Sequence, residues 1–524
     1  MRNQAWIGLI LFLLGLALAW EVGQKIVDED TQWLKYGALI FAGCVVVVTV
    51  LRGWRSGFYL FFFWMLSEDL VRKYMGNSLE LFFGKDILLA VVYVALFVEI
   101  RKGREKTFRP PFLPFLSLFV LLGVIQVFNP NSPSILYGLL GLKTYFYYMP
   151  LLFVGYALIR TDADLRKFLV VSAILAGVIS ILGIIQAIVG NSFLNPAKLA
   201  PELQDLGNLI KRTPLSNLEL SLPDSVFVSS GRFDVYLVWM FILVVGTAAY
   251  LLLHTSRHRK IVYLAAAAVG SASLLSGSRS TVVAVAASAI TLAAAFLWGA
   301  PWRWGQAHRL IRAIRRTAIA TGLALALLVL LFPKDAGSRI AFYSETLDPR
   351  SSSYELGTRS WRYPVDNLLY AFEQPNWQLG NGIGTTSLGG QYVAKVLGTR
   401  PLNIGVEEGY GQLILEMGII APFFWLLWTG SVLSYGWKVI RRLRETRLFP
   451  IAFAIVWYAF MLLFAYTYVG LAAYQNYVSN ILLWLLVGIL FRLPDLLVNA
   501  PAPILVPSAR SSISAPELWV RGSS

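Results

Sequence analysis

Four basic residues in this chain have the type and position needed to hold phosphate groups. Arg232 and Arg279 each follow a short Gly/Ser turn at the start of an apolar segment. Lys143 precedes another apolar segment, and Arg359 lies in a long polar stretch. A guanidinium binds phosphate through two parallel hydrogen bonds and keeps its charge at any working pH. Several such residues converging would form a diphosphate site without a metal ion, whereas the alternative is that each side chain only extends to lipid headgroups.

Carboxylates at the end of the polar stretch are the candidates for a catalytic base. Glu407 and Glu408 lie where this stretch meets the next apolar segment. Gln412 and Glu416 follow Glu408 at intervals of four, so these three residues share one helical face. Glu407 is therefore the first candidate for the base and Glu408 the second, with Gln412 and Glu416 as supporting residues. The alternative is that these acids only neutralise arginines or stabilise a helix N-terminus.

Other common chemistries lack their residues in this sequence. The histidines, His254, His258 and His308, fall in segments that we predict below to be cytoplasmic loops. The spacing of a zinc site and the Walker A, GxSxG and dinucleotide-binding motifs do not occur in the required context. The Gly-rich run from Gly380 to Gly384 is a loop feature rather than a nucleotide motif. We expect no metal ion and no cofactor.

The composition is typical of an integral membrane protein. Of the 524 residues, 57% are hydrophobic and only 14% are charged, and the mean hydropathy is +0.63. A net charge of +16 would suggest nucleic acid in a soluble protein. Here it is better explained by basic loops that orient helices and lie against anionic lipid, so we expect no nucleic-acid partner. The single cysteine, Cys44, excludes an intramolecular disulfide.

The apolar segments predict an all-α polytopic membrane bundle. About fourteen segments (twelve to fourteen) are long enough, or nearly so, to span a bilayer. Their centres are 5–20, 37–51, 58–75, 81–99, 112–128, 145–159, 168–189, 233–253, 261–277, 280–298, 317–332, 410–428, 450–468 and 478–492. The third is the weakest candidate, because Glu68, Asp69, Arg72 and Lys73 interrupt it. Residues 1–20 also fit a signal peptide, but Trp20 favours a retained helix with an interfacial anchor.

The distribution of positive charge predicts which side of the membrane each loop faces. With the N-terminus inside, most arginines and lysines fall in the cytoplasmic loops 52–57, 100–111, 160–167, 254–260, 299–316 and 429–449, as the positive-inside rule requires. Loops 190–231 and 333–408 then lie outside, the second as a partly helical cap. Residues 1–493 would form one transmembrane domain, and 494–524 a mostly disordered cytoplasmic tail.

Five short motifs, taken in order, resemble the O-antigen ligase and O-antigen polymerase superfamily of bacterial membrane glycosyltransferases. They are Ser229-Ser-Gly-Arg-Phe, Leu274-Leu-Ser-Gly-Ser-Arg-Ser-Thr281, Thr358-Arg-Ser-Trp361, Leu379-Gly-Asn-Gly-Ile-Gly384 and Glu407-Glu-Gly-Tyr-Gly-Gln-Leu-Ile-Leu-Glu-Met-Gly418. The number of helices and the position of the large loop match as well. The resemblance implies an inner-membrane enzyme that uses an undecaprenyl-diphosphate-linked glycan on the periplasmic side, without metal or nucleotide sugar. It places Arg232 and Arg279 on the diphosphate.

One departure from the family concerns the base. The ligases of this family have a catalytic histidine at the end of the large loop, where this chain has Glu407 and Glu408. We therefore expect a polymerase rather than a ligase. It would transfer the glycan to a hydroxyl of a glycan or lipid-glycan acceptor, for lipopolysaccharide or exopolysaccharide, with membrane lipid and polysaccharide-assembly proteins as further partners.

Two alternatives from other classes stay open at this point. The first is a transporter of small anions or glycans, and the second is a non-catalytic assembly partner. Transporters more often have broken helices near mid-membrane. In this sequence the polar residues lie at the outer ends of helices and in one large loop, which favours chemistry at the membrane surface.

Overall fold

The computed structural model describes residues 44–76, 79–196, 210–213, 215–253, 258–301, 333–346, 362–399 and 409–498, with isolated positions between 302 and 350. Several predictions fall outside the described residues. They are the helix at 5–20, most of the helix at 317–332, most of the tail, and the site residues Arg359, Glu407 and Glu408.

The described part of the chain is mostly helical, which confirms the all-α prediction. The elements are α1 (Trp54–Met75), α2 (Leu79–Arg101), α3 (Leu113–Val127), α4 (Ile135–Phe146), α5 (Leu151–Leu158), α6 (Asp162–Val189), β1 (Ile210–Arg212), β2 (Glu219–Ser221), α7 (Ser230–Leu253), α8 (Arg259–Leu275), α9 (Arg279–Gly299), α10 (Pro333–Thr346), α11 (Tyr363–Glu373), α12 (Gly390–Leu397), α13 (Gly409–Met417), α14 (Ile420–Leu443), α15 (Phe449–Phe460), a π-helix (Met461–Tyr466), α16 (Thr467–Val469), α17 (Ala472–Gln475) and α18 (Tyr477–Val498). The strands β1 and β2 pair antiparallel, with Ile210 opposite Ser221.

Six helices in the described residues are long and apolar enough to cross a membrane. They are Leu81–Arg101, Asp162–Val189, Ser230–Leu253, Arg279–Gly299, Phe449–Val469 and Tyr477–Leu497. The chain is therefore a multi-pass helical membrane protein. The described residues contain six candidate spans, fewer than the prediction of about fourteen (twelve to fourteen) for the whole chain, of which the spans at 5–20 and 317–332 fall wholly or mostly outside the described residues.

Helix breaks and charged residues explain much of the difference between the predicted number of membrane spans and the number found. The predicted span 145–159 is divided by a turn before Leu151, which leaves the short helices α4 and α5. The predicted span 410–428 breaks at Gly418, whose φ of 82° is left-handed. After that break α14 continues to Leu443, so most of the predicted loop 429–449 is helix. The helix α1 is long enough to span, but it carries several charges.

The centre of the bundle is formed by α7 and α18. In each of these helices 78% of the most apolar window is buried, compared with 33% in α2 and α9. Glycines allow α5 and α18 to pack closely against each other. Gly155 on α5 lies against the carbonyl of Leu485 on α18, and Gly488 lies against the carbonyl of Leu152. A side chain at either glycine would separate the helices, as is common at membrane helix crossings.

The segment 333–408 contains three described helices, α10, α11 and α12. The first is fixed to the bundle by Arg339, which is only 6% exposed. Its guanidinium donates hydrogen bonds to the carbonyls of Leu275, Ala187 and Ser221. Because Ser221 belongs to β2, these bonds join α10 to the hairpin and to the ends of α6 and α8.

Candidate functional site

A cavity of about 460 Å³ lies at one end of the bundle. Its wall combines the end of α1, the start of α2, part of α4, the start of α7 and the segments 388–392 and 472–477. The lining residues are Arg72, Phe82, Lys85, Leu140, Lys143, Thr144, Tyr148, Val228, Ser229, Gly231, Arg232, Val235, Leu388, Gly389, Tyr392, Ala472, Ala473, Gln475, Asn476 and Tyr477. The charge distribution predicts that each of these segments is extracytoplasmic.

Four basic side chains, each from a different helix, line this cavity. They are Arg72 on α1, Lys85 on α2, Lys143 on α4 and Arg232 on α7. Arg72 and Lys85 are buried, whereas 26% of the Arg232 side chain and 19% of the Lys143 side chain remain accessible. We refer to this concave cluster as the cationic cavity. It can supply several charge-assisted hydrogen bonds to one anion.

Asp69 fixes the two arginines of the cationic cavity. Its carboxylate accepts two hydrogen bonds from Nη1 of Arg232, at 2.7 and 3.0 Å, and one from Nη1 of Arg72 at 3.0 Å. It also accepts a bond from the backbone N–H of Val228 at 3.3 Å. Asp69 is fully buried, with 0% exposure. Asp69 is therefore a positioning residue, since removal of one partner from a buried ion pair leaves an uncompensated charge.

The two lysines of the cationic cavity have one carboxylate each. Nζ of Lys85 lies 2.9 Å from Glu68, and Nζ of Lys143 lies 2.7 Å from Asp86. With Asp69, three carboxylates stand behind four cations in this described cluster. Four cations against three carboxylates give the cluster a formal charge of +1. That excess favours an anionic ligand.

Two aromatic rings are shared by the four cations. The Arg72 guanidinium and the two lysine ammonium groups lie 5.2, 4.5 and 4.2 Å from the ring centroid of Phe82. The cations of Lys85 and Arg232 lie 4.7 and 5.3 Å from the centroid of Tyr477. A ring face attracts cations within about 6 Å. Phe82 and Tyr477 therefore help to hold like charges close together.

The backbone that leads to Arg232 is shaped by a further buried ion pair. Nζ of Lys73 lies 3.0 Å from Asp224 and donates to the carbonyl of Ser225 at 2.9 Å. The side-chain oxygen of Gln186 accepts hydrogen bonds from the backbone N–H groups of Asp224 and Ser225, at 3.0 and 2.6 Å. Burial raises the pKa of the Asp224 carboxyl, and the Lys73 ammonium opposes that increase. These contacts fix the start of α7.

Two of the four predicted diphosphate-binding residues, Arg232 and Lys143, line the cationic cavity. Arg279 does not line it. It is the first residue of α9, and its guanidinium lies 4.6 Å from the ring centroid of Phe342 on α10. The turn before α9 packs against β2 and the residue after it, because Gly277 contacts the side chains of Leu220 and Leu222. Arg279 is therefore outside the set of residues that line the cavity with Arg232.

Glu416 supports the wall of the cationic cavity from behind. Its Oε1 accepts hydrogen bonds from the N–H and hydroxyl of Thr386, at 3.0 and 2.7 Å, and from the hydroxyl of Ser387 at 2.9 Å. Its Oε2 accepts a hydrogen bond from the hydroxyl of Tyr145 at 2.8 Å. Burial raises the pKa of the Glu416 carboxyl, and these donors oppose the increase. Gln412 donates to the carbonyl of Thr386 at 3.0 Å, so both residues hold the same loop.

Gln475 connects this hydrogen-bonded network to the cavity that it lines. Its Nε2 donates to the hydroxyl groups of Tyr145 and Ser387, at 3.2 and 3.1 Å. Its Oε1 accepts the backbone N–H of Leu388 at 2.9 Å. Because Leu388 also lines the cavity, the network positions one wall. Glu416 itself is not a lining residue, so its contact with the cavity is indirect.

The Gly-rich run from Gly380 to Gly384 joins the large loop to α4. Gly380, Gly382 and Gly384 have φ of 80°, 98° and 89°, which favours glycine at each position. Gly384 lies directly against the backbone of Gly141 and the carbonyl of Tyr137. This close approach leaves no room for a side chain. The run therefore holds the loop against the helix that carries Lys143.

The contribution of α1 and α2 to the site was missed by sequence reasoning. The signal was present, since Glu68, Asp69 and Arg72 interrupt an apolar segment. Ionisable residues in a membrane segment usually face the interior of the bundle and mark a functional site. In the sequence alone these residues only weaken the prediction of a membrane span. Arg72 on α1 and Lys85 on α2 supply two of the four cations that line the cavity.

No carboxylate and no histidine occurs among the described residues that line the cationic cavity. In the described parts of the chain, no group of three His, Cys, Asp or Glu side chains could hold a metal ion. No family model, no curated protein and no solved structure matches this chain.

Proposed function

We propose that this protein transfers a glycan from an undecaprenyl-diphosphate donor to a sugar hydroxyl, at the periplasmic face of a bacterial inner membrane. The main observation in support is that four basic side chains line one cavity at one end of the bundle. They are Arg72, Lys85, Lys143 and Arg232. Fixed cations of this kind suit a diphosphate. The motifs at Arg232 and in the Gly-rich loop, which resemble those of O-antigen transferases, support the assignment of a transfer reaction.

The cationic cavity would act mainly on the leaving group. The acceptor oxygen attacks C1 of the donor sugar, and the bond between C1 and the diphosphate oxygen breaks. Undecaprenyl diphosphate keeps that electron pair, and the four cations stabilise its charge. The hydroxyl proton passes to a base. Since the described lining residues include no carboxylate and no histidine, we assign this role to Glu407, with Glu408 as the second candidate.

The acceptor in this proposal is a growing glycan, so the activity is that of a polymerase. A carboxylate pair stands where the related ligases have their histidine, and this departure favours the polymerase. Purified protein in liposomes that contain only the lipid-diphosphate repeat unit should lengthen it. Transfer solely to a second, lipid A-type acceptor would instead indicate a ligase.

The diphosphate role is tested by Arg232→Ala in the same liposomes. A charge-assisted hydrogen bond contributes roughly 1.5–3 kcal/mol, so donor affinity should fall by about ten- to a hundredfold. Arg232→Lys should recover only part of the loss. An ammonium keeps the positive charge but cannot form the two parallel hydrogen bonds of a guanidinium. Arg212→Ala is the matched control, since the side chain of Arg212 is 61% exposed in the hairpin. Normal turnover and donor affinity in Arg232→Ala would exclude the proposed site.

The base is tested separately by Glu407→Gln. This variant should bind donor normally but lose about a hundredfold or more in turnover, the typical contribution of a positioned base. Glu407→His should retain part of the activity. An inactive Glu408→Gln beside an active Glu407→Gln would move the role by one residue. Full activity in the double Gln variant would leave electrostatic stabilisation by the cations as the source of catalysis.

A transporter of small anions or glycans is the second candidate, and one observation favours it. The span Phe449–Val469 contains a π-helix at Met461–Tyr466, and the short helix α17 follows the span before α18. Such breaks occur at transport sites. Sealed liposomes separate the candidates, because a transporter would move a labelled glycan across the membrane without elongating it.

A further inference from the structure

A second cavity, an apolar groove of about 460 Å³, lies between α9, α14 and α15. Its walls include Thr291, Leu433, Trp437, Phe453 and Trp457. Two of these helices, α9 and α15, belong to candidate membrane spans, so we infer that the groove opens toward the hydrocarbon of the bilayer. A groove of this shape and apolarity accommodates a hydrocarbon chain, because chain and wall are both poorly hydrated.

The groove lies toward the end of the bundle opposite the cationic cavity. Trp437 is near the C-terminal end of α14, and Phe453 is near the start of α15. These two helix ends meet at the turn 444–448, which the charge distribution predicts to be cytoplasmic. The segment 472–477 of the cationic cavity follows the other end of the same span. A lipid in the groove would therefore come from the opposite leaflet to the glycan donor.

The end of the groove is aromatic and carries more cations than carboxylates, with Glu445 3.9 Å from Nε of Arg444. Trp437 stacks on Trp298, with ring centroids 5.8 Å apart and an angle of 2° between the planes. The guanidinium of Arg444 lies 4.8 Å from the ring of Trp298. Lys438 and Arg441 are exposed on the last two turns of α14. A tryptophan pair at headgroup level beside exposed cations is the arrangement that binds an anionic headgroup.

We propose that this groove binds one chain of an anionic phospholipid from the cytoplasmic leaflet, with its headgroup on Lys438, Arg441 and Arg444. The apolar wall selects the chain, and the cations select the headgroup by charge complementarity. A zwitterionic phospholipid could fill the groove but would gain little from the three cations. This site is separate from the glycan-transfer proposal and does not depend on it.

The test is native mass spectrometry of the full-length protein with phosphatidylglycerol or phosphatidylethanolamine of identical chains. The wild type should retain phosphatidylglycerol in preference. A basic residue near the headgroup changes affinity by about fivefold, so the double variant Arg441→Gln/Arg444→Gln should lose roughly 25-fold for phosphatidylglycerol. Retention of phosphatidylethanolamine should not change. Arg104→Gln is the control, because Arg104 is 66% exposed after α2 and away from the groove.

A second variant tests the groove itself. Ser434 lines it, and Ser434→Trp should fill it and reduce retention of phosphatidylglycerol while thermal unfolding stays like that of the wild type. Equal retention of the two lipids by the wild type would overturn the proposal. So would unchanged retention of phosphatidylglycerol in the double arginine variant. A dimer mass that disappears in Ser434→Trp would show that a second copy of the chain covers the groove instead.

Discussion

Replacing Asp69 by asparagine tests the electrostatic design of the cationic cavity. The change keeps the shape of the side chain but removes the charge that accepts three hydrogen bonds from Arg232 and Arg72. Because the site is fully buried, water cannot replace the lost carboxylate. Breaking a buried pair in this way costs about 3–5 kcal/mol. We expect Asp69→Asn to lower the free energy of unfolding by that amount.

The same substitution should strengthen the response to an anion. In the wild type three carboxylates offset four cations, and in Asp69→Asn only two carboxylates remain, so the formal charge of the cluster rises by one unit. An added diphosphate then replaces the lost counter-charge. If its affinity rises tenfold, saturating pyrophosphate stabilises the variant by about 1.4 kcal/mol more than the wild type. Thermal unfolding in detergent micelles, with and without inorganic pyrophosphate, measures both effects.

Glu219→Gln is the matched control for this experiment. It also removes one carboxylate from an ion pair, at 3.1 Å from Arg212, but the two side chains are 62% and 61% exposed. Exposed pairs contribute only about 0–1 kcal/mol. If Asp69→Asn were as stable as Glu219→Gln, or if pyrophosphate stabilised it no more than the wild type, the reasoning about the cavity would be refuted.

Three further predictions follow from the positions of other residues. Arg279→Ala should weaken pyrophosphate binding, measured by titration calorimetry, less than Arg232→Ala does, because only Arg232 lines the cavity; equal losses would put Arg279 in the site. Glu416→Gln should lower stability to thermal unfolding by about 1–3 kcal/mol, since it disturbs four hydrogen bonds to a buried carboxylate; wild-type stability would contradict its supporting role. In a background without the native cysteine, Val396→Cys but not Lys102→Cys should react with an impermeant thiol reagent in cells with a permeable outer membrane, and the reverse labelling would invert the predicted orientation.

The class of the protein and the ends of many of its helices could be predicted from the sequence. Long apolar runs between basic loops leave few options other than a helical membrane protein. The sequence places Arg232 near the start of α7, because a Gly/Ser turn there precedes a long apolar run. Hydropathy overstated the number of spans, since it does not register a break such as that at Gly418 in an otherwise apolar run.

The membership of the site was decided only by tertiary structure. Arg232 and Arg279 look alike in the sequence, each beside a turn at a helix start, yet only Arg232 reaches the cationic cavity. Arg72 and Lys85 reach it from helices that the motifs did not include. The physical reason is that sequence patterns report the depth of a residue along the membrane normal, whereas lateral packing of the helices decides which charges meet. Asp69 shows the same limit, because nothing local to it indicates a partner on α7, yet its pairing with Arg232 fixes the site.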